Sequence, residues 1–449
     1  MPSSKSSIND SPSVPSEKSS SPNPGGETHP PQSGGASAPI AEKAADPANP
    51  PSEIPNGGFR AWLQCAAAFV LFFNCWGIIN TFGAYQTYYE RELLRNESSS
   101  NIAWIGSVQG SLLIFISVVT GPLYDYGYYR LLLWSGTFLV VFGMMMTSLC
   151  TSYWQIILAQ GIVVGLGAGC LFMPSIAILP SYFSTKKAFA QGVAASGSSL
   201  GGVIYPILFH KLQPQIGFPW ATRVIGFIAL GTLTIPLVGM RMRVKPSSQR
   251  KLVDLTAWKE PPFTLFTIGE FFGFLGLYVP FFYVQIYAIE NNIMSEDLAF
   301  YLVSILNAAS IFGRIIPNFA ADKTGPINML IPCSLIASIL AFAWIGIKSS
   351  AGLIVFCALY GFFSGTFVSL PPTVTYTLSP SLGVVGARLG MVFLPSSIGL
   401  LIGTPIAGAI LKSGWPGLQA FCGVAVGISG LCIVAARIAK AGPKLLAKA

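Results

Sequence analysis

Charge is scarce in this chain: only 10% of its 449 residues are Asp, Glu, Lys or Arg, against about 25% in soluble domains. That shortage excludes an ordinary water-facing surface. Histidine is nearly absent, and the two present, His29 and His210, cannot assemble a metal site by themselves. The spans described below carry neither a paired-histidine cluster nor a Gly-x-Ser-x-Gly elbow, so an enzyme is not expected. Eight cysteines (Cys65, Cys75, Cys150, Cys170, Cys333, Cys357, Cys422 and Cys432) show no CxxC spacing and all fall in apolar stretches. They read as small buried apolar residues, not as a disulfide or zinc framework. Gly161, Gly165, Gly167 and Gly169 follow no strand and precede no Lys-Ser/Thr pair, which excludes a phosphate-cradling loop. No apolar run lies near Met1, so a cleavable leader is not expected and the first apolar span directs insertion.

What is abundant is apolar: 52% of the residues are hydrophobic and the mean hydropathy is +0.61. A bilayer core requires roughly 20 apolar residues per helix. Windows of that kind lie at 60–85, 102–124, 131–151, 154–179, 189–211 and 220–240, and again at 263–288, 298–319, 327–347, 351–377, 387–411 and 416–438. The expected fold is an all-α membrane protein of twelve transmembrane helices in two six-helix halves, 57–240 and 263–440. A linker at 241–262 joins the halves, and short tails flank them at 1–56 and 441–449. The first tail is rich in Ser, Pro, Gly and Ala, too poor in apolar residues to offset the entropy of ordering, and is expected to be disordered.

The net charge of +9 would suit nucleic acid, but its placement points to a lipid bilayer instead. Arg130, Lys186, Lys187, Lys323 and Arg388 fall in alternate loops, and the linker adds Arg241, Arg243, Lys245, Arg250, Lys251 and Lys259. The opposing loops are balanced (86–101) or acidic (290–297). The basic loops are therefore expected on the cytoplasmic side, with both termini. The sequon Asn96-Glu97-Ser98 then lies outside, where Asn96 is a candidate for glycosylation.

Two turns repeat. Gly121-Pro122-Leu123-Tyr124-Asp125 leads to Arg130 in the first half, and Gly313 to Gly325 carries Asp322 and Lys323, with Asp322 standing 197 positions after Asp125. Glycine lets the backbone turn, and an aspartate there can meet the positive end of a neighbouring helix or an arginine. A paired motif of this kind resembles the loop signature of the major facilitator superfamily, where it joins helices two and three and again eight and nine. The stretch Pro55-Asn56-Gly57-Gly58-Phe59-Arg60-Ala61-Trp62 is similar to the opening motif of the monocarboxylate porter branch. Tyr182-Phe183-Ser184-Thr185-Lys186-Lys187-Ala188-Phe189-Ala190-Gln191-Gly192 resembles the same branch's approach to helix five, and the run around Arg314 is similar to fungal members. The resemblance covers about 57–440.

The resemblance implies a secondary active transporter working by alternating access. It implies a small organic anion as cargo, no cofactor, the plasma membrane as location, and protons as the ion that couples transport to a gradient. This chain departs from the branch at three places. Asn56 stands where an aspartate is usual, Asn80 where characterised members carry a lysine, and Ser310 where they carry an aspartate one turn before Arg314. The branch's coupling mechanism is therefore not simply inherited. Export of a fungal small molecule and a nutrient sensor of transporter ancestry are the rival readings.

An ionisable group inside a span costs roughly 2.5–3.5 kcal/mol to insert, so each is a functional candidate. Arg314 lies midway along the eighth span and is the candidate for holding a cargo carboxylate, its alternative being a structural pairing with helix-end carbonyls or Asp322. Glu270 in the seventh span is the candidate for carrying a proton in place of the missing aspartate, its alternative a capping role at the rim. Asn80, Tyr85 and Asn307 are candidates for lining the path, as are Asn74, Gln109 and Gln160. Each reads equally well as interhelical glue.

Overall fold

The computed structural model describes residues 56–243, 254–380 and 384–443. The expected disordered tail lies outside the described residues except for Asn56, as do Lys245, Arg250 and Lys251 of the linker, the side chain of Asp125, and the end of the chain from 444. Among the described residues there is no strand.

Eleven helical stretches are long and apolar enough to cross a membrane. The fifth, Lys187–Gly239, runs for 53 residues but contains Gly217 at φ 76°, between Pro214 and Pro219. A left-handed residue beside two prolines ends one helix and starts the next. The stretch is therefore two spans, and the crossings among the described residues number twelve. They are α1 (Phe59–Leu93), α2 (Ser99–Tyr124), α3 (Tyr129–Thr147), α4 (Tyr153–Ser181), α5 (187–216) and α6 (218–239), followed by α7 (Pro261–Glu290), α8 (Glu296–Thr324), α9 (Pro326–Gly346), α10 (Ser350–Leu378), α11 (Val385–Leu411) and α12 (Trp415–Ala441).

The 197-residue repeat runs deeper than the two aspartates. Ser98 caps α2 by accepting from the Asn101 amide, and Ser295 caps α8 by accepting from the Leu298 amide, again 197 positions on. Gly217 and Gly414, both at positive φ and both 197 apart, open the last helix of each half. The first helix of each half is broken near its middle, α1 at Thr81 and α7 at Tyr278. At the first break the Gly77 carbonyl accepts from both the Thr81 amide at 3.2 Å and the Thr81 hydroxyl at 2.8 Å.

One sequence expectation requires correction. Gly121 and Gly313 do not make the turns; both lie inside helices. The turning residues are Gly127 (φ 91°) and Gly325 (φ 102°), which follow the aspartates. Gly313 instead permits close packing: a Cβ there would fall 1.8 Å from the Phe362 carbonyl oxygen on α10. Arg388 also departs from its reading as a loop cation. It sits in the first turn of α11, 1% exposed, and donates to Asp254, Glu260 and the Leu378 carbonyl, with its guanidinium 5.3 Å from the Phe263 ring centre. The end of the linker is thereby fixed to α11. Arg130 and Lys323 do lie exposed on the linker face, Lys323 with its ammonium 5.0 Å from the Phe319 ring, and Asn96 is exposed on the opposite, distal face.

Candidate functional site

The two halves meet along α5 against α8 and α2 against α11. At the linker face, the Asp322 carboxylate accepts from the backbone amides of Ala188 and Phe189, each at 3.0 Å. These are the unpaired donors of the first turn of α5, where a negative charge is favoured. Next to this contact, Asn56 adopts φ 54° and its Oδ1 accepts from the amides of Ser184 and Thr185, at 3.1 and 2.9 Å, while its Nδ2 donates to the Thr185 hydroxyl at 2.7 Å. The opening motif and the approach to α5 are thus one structural unit. Asn56 supplies the acceptor that an aspartate would.

Moving inward, Gly192 lets the α8 backbone approach α5: a Cβ there would lie 2.2 Å from the Arg314 carbonyl oxygen. Arg314 is 1% exposed. Its Nε donates to the Ser310 hydroxyl at 3.2 Å, and the Ser199 hydroxyl of the other half donates to the same oxygen at 3.1 Å. Ser310, which replaces the expected aspartate, therefore links Arg314 to α5 without neutralising it. Among the described residues no carboxylate lies within ion-pair distance of Arg314, and its Nη1 has no hydrogen-bond partner. A buried guanidinium without a counter-charge is costly to hold.

An aromatic cluster fills the centre. Trp76 of α1 stacks on Tyr278 of α7, centroids 5.8 Å apart and planes 17° from parallel. Phe172 meets Trp76 edge-on at 5.7 Å and reaches Phe393 of α11 at 5.9 Å. Between the halves Trp76, Phe172 and Phe393 leave a space of about 20 Å³, lined also by Phe72, Phe274 and Gln191. That admits about one water. Tyr278 lies within electrostatic reach of Arg314, and the Trp76 indole nitrogen has no partner among the described residues. On the distal side the halves touch again. Phe82 of α1 packs on Phe282 of α7 at 5.0 Å, a Cβ at Gly83 would fall 2.4 Å from the Phe281 carbonyl oxygen, and Ser100 donates to the Pro405 carbonyl at 3.0 Å. Beyond that closure a cavity of about 400 Å³ opens on the distal face, lined by residues that include Tyr88, Arg91, His210 and Gln285.

The sequence candidates divide. Asn307 does reach the interface, its Oδ1 unpartnered and opposite Gly202 of α5. Asn80 donates to the Ser198 carbonyl at 3.4 Å, leaving its own Oδ1 without a partner. Tyr85 is not brought there: its hydroxyl bonds Thr222 of α6 at 3.4 Å and its ring packs on Phe209 at 4.3 Å, all within the first half. Asn74, joined to Tyr205 and Thr232, and Gln160, joined to Tyr89, are interhelical glue. Glu270 is 1% exposed on α7, one turn from Phe274, and both its carboxylate oxygens lack a hydrogen-bond partner. Sequence reasoning missed Trp76, Phe172 and Phe393, because an aromatic in the middle of a span looks the same whether it faces lipid or the other half. No group of three or more His, Cys, Asp or Glu among the described residues is arranged to hold a metal.

A profile of the Major Facilitator Superfamily matches residues 65–385. The MFS-type transporter dbaD of Emericella nidulans is 47% identical over 382 residues, covering 84% of this chain and 86% of that protein. The aspyridones efflux protein apdF of the same organism is 41% identical, covering 87% of this chain and 81% of its own length. The fujikurins efflux protein of Gibberella fujikuroi is 36% identical over 92% of this chain and 90% of its own. The fold is similar to that of the E. coli fucose:proton symporter FucP, with a TM-score of 0.62 at 16% identity, covering 84% of this chain and 99% of that one.

Proposed function

Because this chain belongs to the Major Facilitator Superfamily, we propose that it exports a small carboxylate-bearing organic metabolite by gradient-driven alternating access. The observation that carries this reading is Arg314, a buried guanidinium between the halves with a free Nη1 and no carboxylate partner among the described residues. Its planar fork suits a carboxylate, and binding would supply the missing counter-charge. Export, not uptake, is supported by relatives whose names state efflux. Kinship with monocarboxylate porters rests on the two motifs that Asn56 joins.

Access alternates by exchanging two sets of contacts. The linker-face set is Asp322 on the start of α5 and Gly192 on α8; the distal set is Gly83 on α7 and Ser100 on α11. Arg314 lies at the inner end of the linker-face set, its own carbonyl against Gly192, so cargo held there faces whichever side has parted. In this reading the linker face is cytoplasmic, the membrane is the plasma membrane, and Asn96 faces outward. A proton gradient supplies about 1.36 kcal/mol per pH unit and the membrane potential about 2.3 kcal/mol per charge per 100 mV. Glu270 is the group proposed to carry the proton.

Flux of labelled organic acids into and out of vesicles carrying the full chain tests the proposal. Arg314→Ala and Arg314→Lys should both abolish transport while leaving the amount of protein in the membrane unchanged. Lysine fails because it keeps the charge but not the fork. Normal flux in Arg314→Ala removes the reading.

A further inference from the structure

We propose that the cargo is a planar aromatic carboxylate, held by sliding its ring between Trp76 and Tyr278. The idea rests on the anion-binding reading of Arg314 and names the rest of that site. Trp76 and Tyr278 belong to different halves and stack face to face at 5.8 Å and 17°. The adjoining space of about 20 Å³ is far too small for an organic acid, so cargo enters only when the halves part. Parting them breaks this stack and leaves two flat aromatic faces opposed across the opening. A ring inserted there makes two stacking contacts of roughly 3.5 Å each, which asks the pair to separate only to about 7 Å.

The surroundings fit the same ligand. Phe172 stands edge-on to Trp76 at 5.7 Å, and Phe274 lies nearly parallel to Tyr278 at 6.3 Å and 21°. These walls offer a flat apolar slot and little that would hold a flexible polar chain. The unpartnered Trp76 indole N–H is a donor for a hydroxyl or carbonyl oxygen on the ring. Arg314, within electrostatic reach of Tyr278, is the cation for the carboxylate. Tyr278 is also the residue at which α7 breaks.

The test compares two probes of equal charge and the same carbon skeleton, 6-hydroxy-2-naphthoate and its fully saturated decahydro form. Equilibrium binding to the purified full chain is measured along with flux in proteoliposomes, with protein-free liposomes subtracted. The flat acid should bind roughly tenfold more tightly than the saturated one. Trp76→Leu and Tyr278→Leu should each erase that preference, and Trp76→Phe should keep most of it. Equal affinity for the two acids, with both lost in Arg314→Ala, would overturn the aromatic slot and leave the anion site standing. If neither acid binds, or if Arg314→Ala changes nothing, the slot and the anion site fall together. The probe comparison is made on the unaltered chain, so variants that misfold cannot shield the idea.

Discussion

Asp322 of the second half closes the first turn of a helix in the other half: its Oδ1 accepts from the Ala188 amide at 3.0 Å, and its Oδ2 does the same for Phe189. A carboxylate capping a helix start contributes on the order of 1 kcal/mol. Here that energy holds the two halves together at the linker face, so removing it shifts a conformational balance as well as stability. Asp322→Ala should raise the population open at that face about fivefold. The labelling rate of a single cysteine placed on the linker-face end of α5 would report it. An unchanged rate would mean the cap does not bias the transition.

The glycines along the seam predict opposite effects from the same chemical change. Gly192→Ala puts a methyl 2.2 Å from the Arg314 carbonyl oxygen on the linker side; Gly83→Ala puts one 2.4 Å from the Phe281 carbonyl oxygen on the distal side. No real Cβ tolerates either distance, so the helices must separate locally. The first variant should favour opening toward the linker face and the second toward the distal face. Distances between spin labels across each face, measured on both variants, should move in opposite senses. Movement in the same sense would show that these contacts are scaffold, not gates.

Much of this arrangement is legible in the sequence because lipid imposes it. Twelve apolar windows, basic loops on one side and the repeated aspartates all follow from the need to bury a backbone and orient it. For Asp322 the sequence left two partners open, a helix start or an arginine, and the structure shows it at the start of α5. Asn56 was harder. As a letter it is a departure from an aspartate, and only the structure shows its Oδ1 accepting the amides of Ser184 and Thr185, 128 and 129 positions away. The turning residues, Gly127 and Gly325, were obscured by Gly121 and Gly313, since a packing glycine and a turning glycine are the same letter. Tyr85 and Trp76 lie nine positions apart on one helix, which at about 3.6 residues per turn sets them on opposite faces, and one packs inside its half while the other faces across. Periodicity separates the two faces but does not say which of them meets the other half.

The linker joint predicts an acid-sensitive step. Asp254 is held below the usual carboxylate range, first by the hydrogen bond from Thr256 and then by Arg388. A carboxyl lowered on folding contributes stability that is fully present above its unfolded value of about 4 and is lost as pH falls through the folded value. Protonation also strips Arg388 of one of its two carboxylate partners, leaving a buried cation with Glu260 and the Leu378 carbonyl. Thermal unfolding of the purified chain should therefore be flat between about pH 5 and 7 and decline below about pH 4. Asp254→Asn should start lower and lose part of the decline. A profile in Asp254→Asn parallel to that of the unaltered chain would assign the acid sensitivity elsewhere.

Glu270 separates coupling from binding. It is buried on α7, one turn from Phe274 at the aromatic centre, and neither carboxylate oxygen has a hydrogen-bond partner among the described residues. A carboxyl group so placed inside a span is expensive to hold in its charged form, which makes it a candidate proton carrier, loading on one side and unloading on the other. Glutamine keeps its size and polarity but cannot release a proton. If export is exchanged for inward proton movement, Glu270→Gln should abolish flux driven by an imposed pH gradient. It should leave one-for-one exchange of labelled for unlabelled cargo intact, because exchange needs the halves to rock but moves no net proton. Loss of both would make Glu270 a structural group whose removal stops the rocking itself. Retention of both would place the proton on another residue.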